Sequence, residues 1–174
     1  MNPKDLKESL IKVVQLLDKG IAMERHARDF YAAAARKTGS PQGRKLFEWL
    51  AQFEVGHKAR LEGKRMEVLS HPALKGVEVK KVGDYDVSEA DESVALPSNP
   101  TDIDILKIAL ENERRAYAFY QKKITFSTDA LLKEMFNTMA REEDRHIKII
   151  EEQLTSIKRN QLWKDLQSIL GENK

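Results

Sequence analysis

The sequence predicts an all-α fold: a bundle of four helices, with a long crossover between the second and third and a helical extension at the C-terminus. Three observations predict it. Apolar residues recur at helical spacing through four stretches. The five prolines, at positions 3, 41, 72, 97 and 100, fall at or outside the ends of those stretches. The chain also repeats itself at a fixed offset.

The first helix is expected from Asp5 to Lys37, through Leu6, Leu10, Val13, Leu17, Ile21 and Tyr31. Asp5 is its expected cap, and Thr38-Gly39-Ser40-Pro41 its stop. The second is expected from Gln42 to Leu69, through Leu46, Leu50, Phe53 and Leu61, ending at Ser70-His71-Pro72. Residues 70–100 lose the periodicity and hold three of the five prolines, so they read as a crossover with a short extended piece at Val77 to Val82. Some thirty residues is far more than antiparallel neighbours need. Thr101-Asp102 opens the third helix, which runs to Ile124, and Ser127-Thr128-Asp129 opens the fourth. Residues 1–152 would thus form the bundle, from helix pairs 5–69 and 101–152. Residues 153–174, with Leu154, Ile157, Trp163, Leu166, Ile169 and Leu170, would form a fifth helix or an extension of the fourth that covers a bundle face or a dimer contact.

Composition bounds the function. A chain of 174 residues suits one domain, or one domain with an appendage. Lys+Arg 30 against Asp+Glu 28 leaves +2, which excludes a strongly basic nucleic-acid binder. The absence of cysteine excludes disulfides, zinc ribbons, iron–sulfur clusters and thiol catalysis. No apolar run approaches the ~18 residues of a membrane span, and the MNPKDLKESL start carries acids where a signal peptide would not. The expectation is a cytoplasmic protein without nucleic-acid or membrane partners.

The repeat locates the chemistry. ERHARDFY from Glu24 matches ERRAYAFY from Glu113 at five of eight positions, at an offset of 89 residues. Lys45 to His57 aligns with Glu134 to His146 at the same offset, pairing Phe47 with Phe136, Ala51 with Ala140, Glu54 with Glu143 and His57 with His146. Glu24, Glu54, Glu113 and Glu143 all fall on apolar stripes. A carboxylate facing a helix-bundle core is costly unless a positive group meets it. Each Glu-x-x-His pair sets its side chains about 60° apart and one turn along, so both reach one ion. Four carboxylates balance two divalent cations, and oxygen and imidazole donors without thiolate suit iron or manganese, with zinc also allowed.

This ligand set, a glutamate from each of two helices and Glu-x-x-His from the other two, is that of ferritin-like di-iron proteins. Over residues 5–152 the chain resembles the rubrerythrin-related branch of that family. The resemblance implies a left-handed four-helix bundle in which Glu24 and His57 bind one iron, Glu113 and His146 the other, and Glu54 and Glu143 bridge them. It also implies an oxidoreductase that reduces hydrogen peroxide or dioxygen. Full-length rubrerythrins add a cysteine-ligated rubredoxin domain. With no cysteine here, electrons would come from an external donor such as a rubredoxin. Rubrerythrins also tend to supply a further glutamate on the third helix, whereas Glu111 lies about 200° round the helix from Glu113. Two alternatives stand beside this reading: an iron-binding, ferroxidase or storage protein, and a structural bundle with a vestigial site. Tyr31 and Tyr120, each seven residues after a ligand glutamate, read as core aromatics within reach of the ligands. His26 reads as solvated, His71 as a crossover residue before a proline, and Trp49 and Trp163 as packing residues. The long crossover suggests a homodimer, with domain swapping an option.

Overall fold

The chain, in a computed structural model, is described over residues 2–80, 96–127 and 129–169. Four helices account for most of them: α1 (Pro3–Lys37), α2 (Pro41–Leu69), α3 (Asp102–Phe126) and α4 (Ala130–Ile169), with a 3₁₀ turn at Pro72–Leu74 after α2. No strand occurs among the described residues.

Local chemistry sets the ends. α1 starts two residues before the expected Asp5, because Asn2 is the cap: its side-chain oxygen accepts from Asp5 N at 2.9 Å. Pro3 then occupies the first turn, where its missing N–H is not needed. The same device opens α2, where Ser40 Oγ accepts from Gly43 N at 3.1 Å ahead of Pro41. α3 carries a capping box. Thr101 Oγ1 accepts from Asp104 N at 3.2 Å, and the Asp104 carboxylate accepts from Thr101 N at 3.0 Å. These Thr101 hydrogen bonds hold the Asp104 carboxyl below its ordinary range. α4 is capped by Asp129 Oδ1, which accepts from Leu132 N at 2.7 Å.

α2 stops at Leu69, ahead of the His71-Pro72 dipeptide that disfavours further helix. Gly76 takes φ +73° after the 3₁₀ turn, a left-handed conformation that glycine adopts without strain. Residues 77–80 then have no regular structure, while 81 and 82 of the expected extended piece lie outside the described residues. At the other end α4 runs unbroken for 40 residues, about 60 Å. No glycine or proline interrupts residues 130–170, so the tail continues α4 and is not a fifth helix.

The chain divides into two compact units, one of Met1–Ala33 with Leu46–Ser93 and one of Ala34–Lys45 with Val94–Lys174. In the first, Val14, Leu17, Leu50 and Leu61 are fully buried. Tyr31 meets Phe30 edge-on at 5.2 Å and stacks on Phe47 at 6.3 Å. Asp18, a buried carboxylate, is held by Arg65 Nε at 2.6 Å. In the second unit α3 packs along α4, burying Ile105, Leu106, Leu132, Phe136, Met139 and Ile150. Tyr120 meets Phe119 edge-on at 5.2 Å and stacks on Phe136 at 5.9 Å. The loop before α2 is tied to the start of α3: Thr38 Oγ1 donates to Asp102 Oδ1 at 2.7 Å and Lys37 Nζ to Pro97 O at 2.7 Å. A Cβ at Gly43 would lie 2.6 Å from that Thr38 hydroxyl, so the close approach requires glycine.

Candidate metal centre

Each unit carries one glutamate and one Glu-x-x-His pair on facing helices. In the first, α1 supplies Glu24 and α2 supplies Glu54 and His57. His57 Nδ1 lies 3.2 Å from Glu54 Oε2 and 3.4 Å from Glu24 Oε2. In the second, α3 supplies Glu113 and α4 supplies Glu143 and His146. His146 Nδ1 lies 3.2 Å from Glu143 Oε2 and 3.4 Å from Glu113 Oε2. The i, i+3 spacing turns glutamate and histidine to one helix face, and the apolar stripe around them turns that face inward.

All six side chains are buried, none more than 3% exposed. Among the described residues the other buried polar or charged side chains are Asp18 and Thr38, which Arg65 and Asp102 account for. Within each set of three, one candidate ligand atom from every residue lies within 4.8 Å of the others.

The electrostatics show what such a set needs. Burial pushes the Glu113 carboxyl up to about 7, helped by the charge of Glu143 and opposed by the hydrogen bond from His146. For His146 burial alone would lower the pKa, but hydrogen bonds and charges from Glu113 and Glu143 outweigh it and lift the imidazole to about 10. Protein alone thus answers the buried carboxylates with a protonated histidine. A divalent cation answers them better, leaving the imidazole neutral as a ligand. Two carboxylates and one imidazole per set are hard and borderline donors, which fit iron, manganese or zinc.

The remaining polar residues singled out in the sequence lie elsewhere. Glu111 is exposed and accepts from Arg115 Nε at 3.3 Å, so it is not part of the set. His71 Nδ1 accepts from Ala73 N at 3.1 Å and caps the 3₁₀ turn. His26 is half-buried, with its Nε2 3.5 Å from Arg25 Nη2, and lies about 200° round the helix from Glu24. Tyr31 and Tyr120 are fully buried.

Two features escaped the sequence reading. The Asp18–Arg65 pair joins residues 47 apart, and no periodicity announces it. Both side-chain amide atoms of Asn112, beside Glu113, are closed to solvent with no hydrogen-bond partner among the described residues.

The rubrerythrin family model matches residues 15–89 and 104–172. The chain belongs to the rubrerythrin family. Among solved structures, it is similar to a dodecameric thioferritin, the bacterioferritin-related protein from Bacteroides fragilis. The TM-score is 0.72 at 20% identity, covering 87% of this chain and 89% of that one. It is also similar to Dps from Thermosynechococcus elongatus, with a TM-score of 0.65 at 13% identity over 88% of this chain and 95% of that one. At such identities the likeness speaks for the fold, a ferritin-like four-helix bundle. No curated protein matches the chain. No helix among the described residues is long and apolar enough to cross a membrane.

Proposed function

We propose that the six residues hold two iron ions in one dinuclear centre, and that the protein is a cytoplasmic, rubrerythrin-type oxidoreductase reducing hydrogen peroxide or dioxygen. The observation that carries this reading is a buried Glu/Glu-x-x-His set that occurs twice with the same distances, 3.2 and 3.4 Å. Glu24 and His57 would hold one ion, Glu113 and His146 the other, with Glu54 and Glu143 shared. Four carboxylates then balance two divalent ions, which removes the cost of burying them.

A bound ferrous pair supplies two electrons to an O–O bond. The chain's residues prepare that event. On ligation through Nδ1, His57 and His146 would give the proton held there up to solvent, and the charge of the metal ion would replace it beside the glutamates. Stacked Tyr31–Phe47 and Tyr120–Phe136 exclude bulk water within each unit, so charge interactions there are weakly screened. Reduction of hydrogen peroxide to two waters takes two electrons and two protons, and the electrons come from an external donor such as a rubredoxin. The homodimer expected from the sequence is retained in this reading.

A second reading, iron binding with ferroxidation or storage, draws on the fold likeness to a thioferritin and a Dps protein. Peroxide consumption by the iron-loaded chain with a reduced rubredoxin separates the two. The oxidoreductase reading predicts sustained turnover well above that of free iron. Consumption that ends after one reaction per iron pair, however much donor is added, would favour storage.

A further inference from the structure

Asn112 carries a buried amide that the repeat shows to be dispensable for the fold. Its oxygen and nitrogen are both closed to solvent, and neither has a hydrogen-bond partner among the described residues. Ile105 and Ala109, seven and three residues before it on α3, are fully buried, so the amide stands at the edge of an apolar stripe. An amide in that position costs stability, whereas an apolar side chain there costs none. The first half of the repeat takes the apolar solution: the residue 89 positions earlier is Met23, 8% exposed. Native chains keep few such groups, and they keep them where a site has work for them.

Helix geometry places the amide relative to the candidate ligands. Successive residues turn by about 100°, so Arg114 and Asn112 flank Glu113 on opposite sides. Arg114 reaches α4, where its Nη2 donates to Glu151 Oε1 at 2.8 Å. From that same helix His146 Nδ1 comes to 3.4 Å from Glu113 Oε2. The Asn112 flank of Glu113 is therefore the one turned away from α4 and its histidine. A small ligand joining an ion held by Glu113 and His146 needs a direction that these side chains leave open, and the Asn112 flank supplies it. The amide offers one carbonyl acceptor and two N–H donors. Hydrogen peroxide has O–H donors and oxygen acceptors to match both, whereas dioxygen has no donor.

We propose that Asn112 binds hydrogen peroxide beside Glu113 and sets a preference for peroxide over dioxygen. The inference rests on the oxidoreductase reading and narrows its substrate. Asn112 is neutral and moves no proton. It holds the peroxide by hydrogen bonds, while two electrons from the external donor and two protons from solvent complete the reduction to two waters. Stability given up at this position is kept for binding.

Asn112→Met and Asn112→Gln separate the amide from its volume, since the two side chains are alike in length and only glutamine keeps the group. Both are made in the full chain and loaded with iron. Asn112→Met should raise KM for hydrogen peroxide about tenfold, the size of one lost hydrogen bond, and leave kcat and the rate with dioxygen unchanged. Asn112→Gln should restore most of the affinity. Azide binding to the oxidised iron, followed by absorption, reads the same contact without turnover, because azide accepts from the amide N–H. Asn112→Met should weaken it and Asn112→Gln should not, with iron content equal in all three proteins. A peroxide KM or an azide affinity left unchanged by Asn112→Met would overturn the inference, the amide then holding water alone. Iron lost from Asn112→Met, equal losses in both variants, or equal losses with peroxide and dioxygen would each overturn it too. Turnover by the unaltered chain no faster than free iron would contradict the oxidoreductase reading first, and this inference with it.

Discussion

Asn112 shows how a single side chain can be tested against its repeat. Its buried amide has no partner among the described residues, which costs about 1–3 kcal/mol, and the equivalent position in the first half is Met23, 8% exposed. Asn112→Met should therefore raise the melting temperature, and a fall would show that the amide has a structural partner. Gly43→Ala runs the other way. Alanine is the better helix former, but its Cβ would press on Thr38 Oγ1 and strain the bond to Asp102. We expect a loss of about 1–3 kcal/mol by denaturant unfolding. The six candidate ligands were legible in the sequence at this scale because each is a charged or imidazole residue set in an apolar stripe and occurs twice in register. Asn112 and Gly43 were not, since what matters is an amide left without a hydrogen bond at the first and one close contact at the second.

At the scale of helices, the Asp18–Arg65 pair joins α1 to α2 inside the first unit. Arg65→Leu leaves a carboxylate with 1% side-chain exposure without its cation and should cost about 3 kcal/mol or more. The second half of the repeat has an exposed Lys107 and a buried Leu154 at these positions. Asp18→Leu with Arg65→Leu removes both charges and should recover most of the loss, measured as a double-mutant cycle. A double variant no more stable than Arg65→Leu alone would mean that the buried carboxylate is not what Arg65 compensates. The four helices were legible because proline and apolar spacing agree on them. Their starts were less so. Asp5 looks like a cap in isolation, but Asn2-Pro3 outcompetes it, since proline is accepted at the first helical position and asparagine satisfies the exposed N–H groups. The unbroken α4 was likewise open in the sequence, where the apolar pattern that continues past Glu152 reads equally as a fifth helix or as a bent extension of the fourth.

Over the whole molecule, the buried carboxylates couple stability to pH and metal. The Glu113 carboxyl rises from 4.5 to about 7, so its proton stabilises the folded, metal-free chain fully below about 4.5, and that contribution is lost as pH climbs through 7. His146 rises from 6.5 to about 10, so its contribution is full below 6.5 and is lost as pH climbs through 10. Both act in one direction, and the metal-free protein should lose stability between pH 5 and 9. A bound divalent ion requires the deprotonated ligands, so stabilisation by manganese should grow over the same range. Thermal melts at several pH values, with and without manganese, check this. A metal-free protein that gains stability with rising pH would contradict it. The fold class was legible because a repeated helix pair with inward carboxylates matches few architectures.

Two sets of three residues should together hold two metal ions. Elemental analysis after anaerobic loading with ferrous iron tests it, with Glu54→Ala/Glu143→Ala carried through the same procedure. Two irons per chain are expected, lost in a double variant whose circular dichroism still reports a folded helical protein. One iron or none in the unaltered chain, or two irons retained by the folded variant, would contradict it.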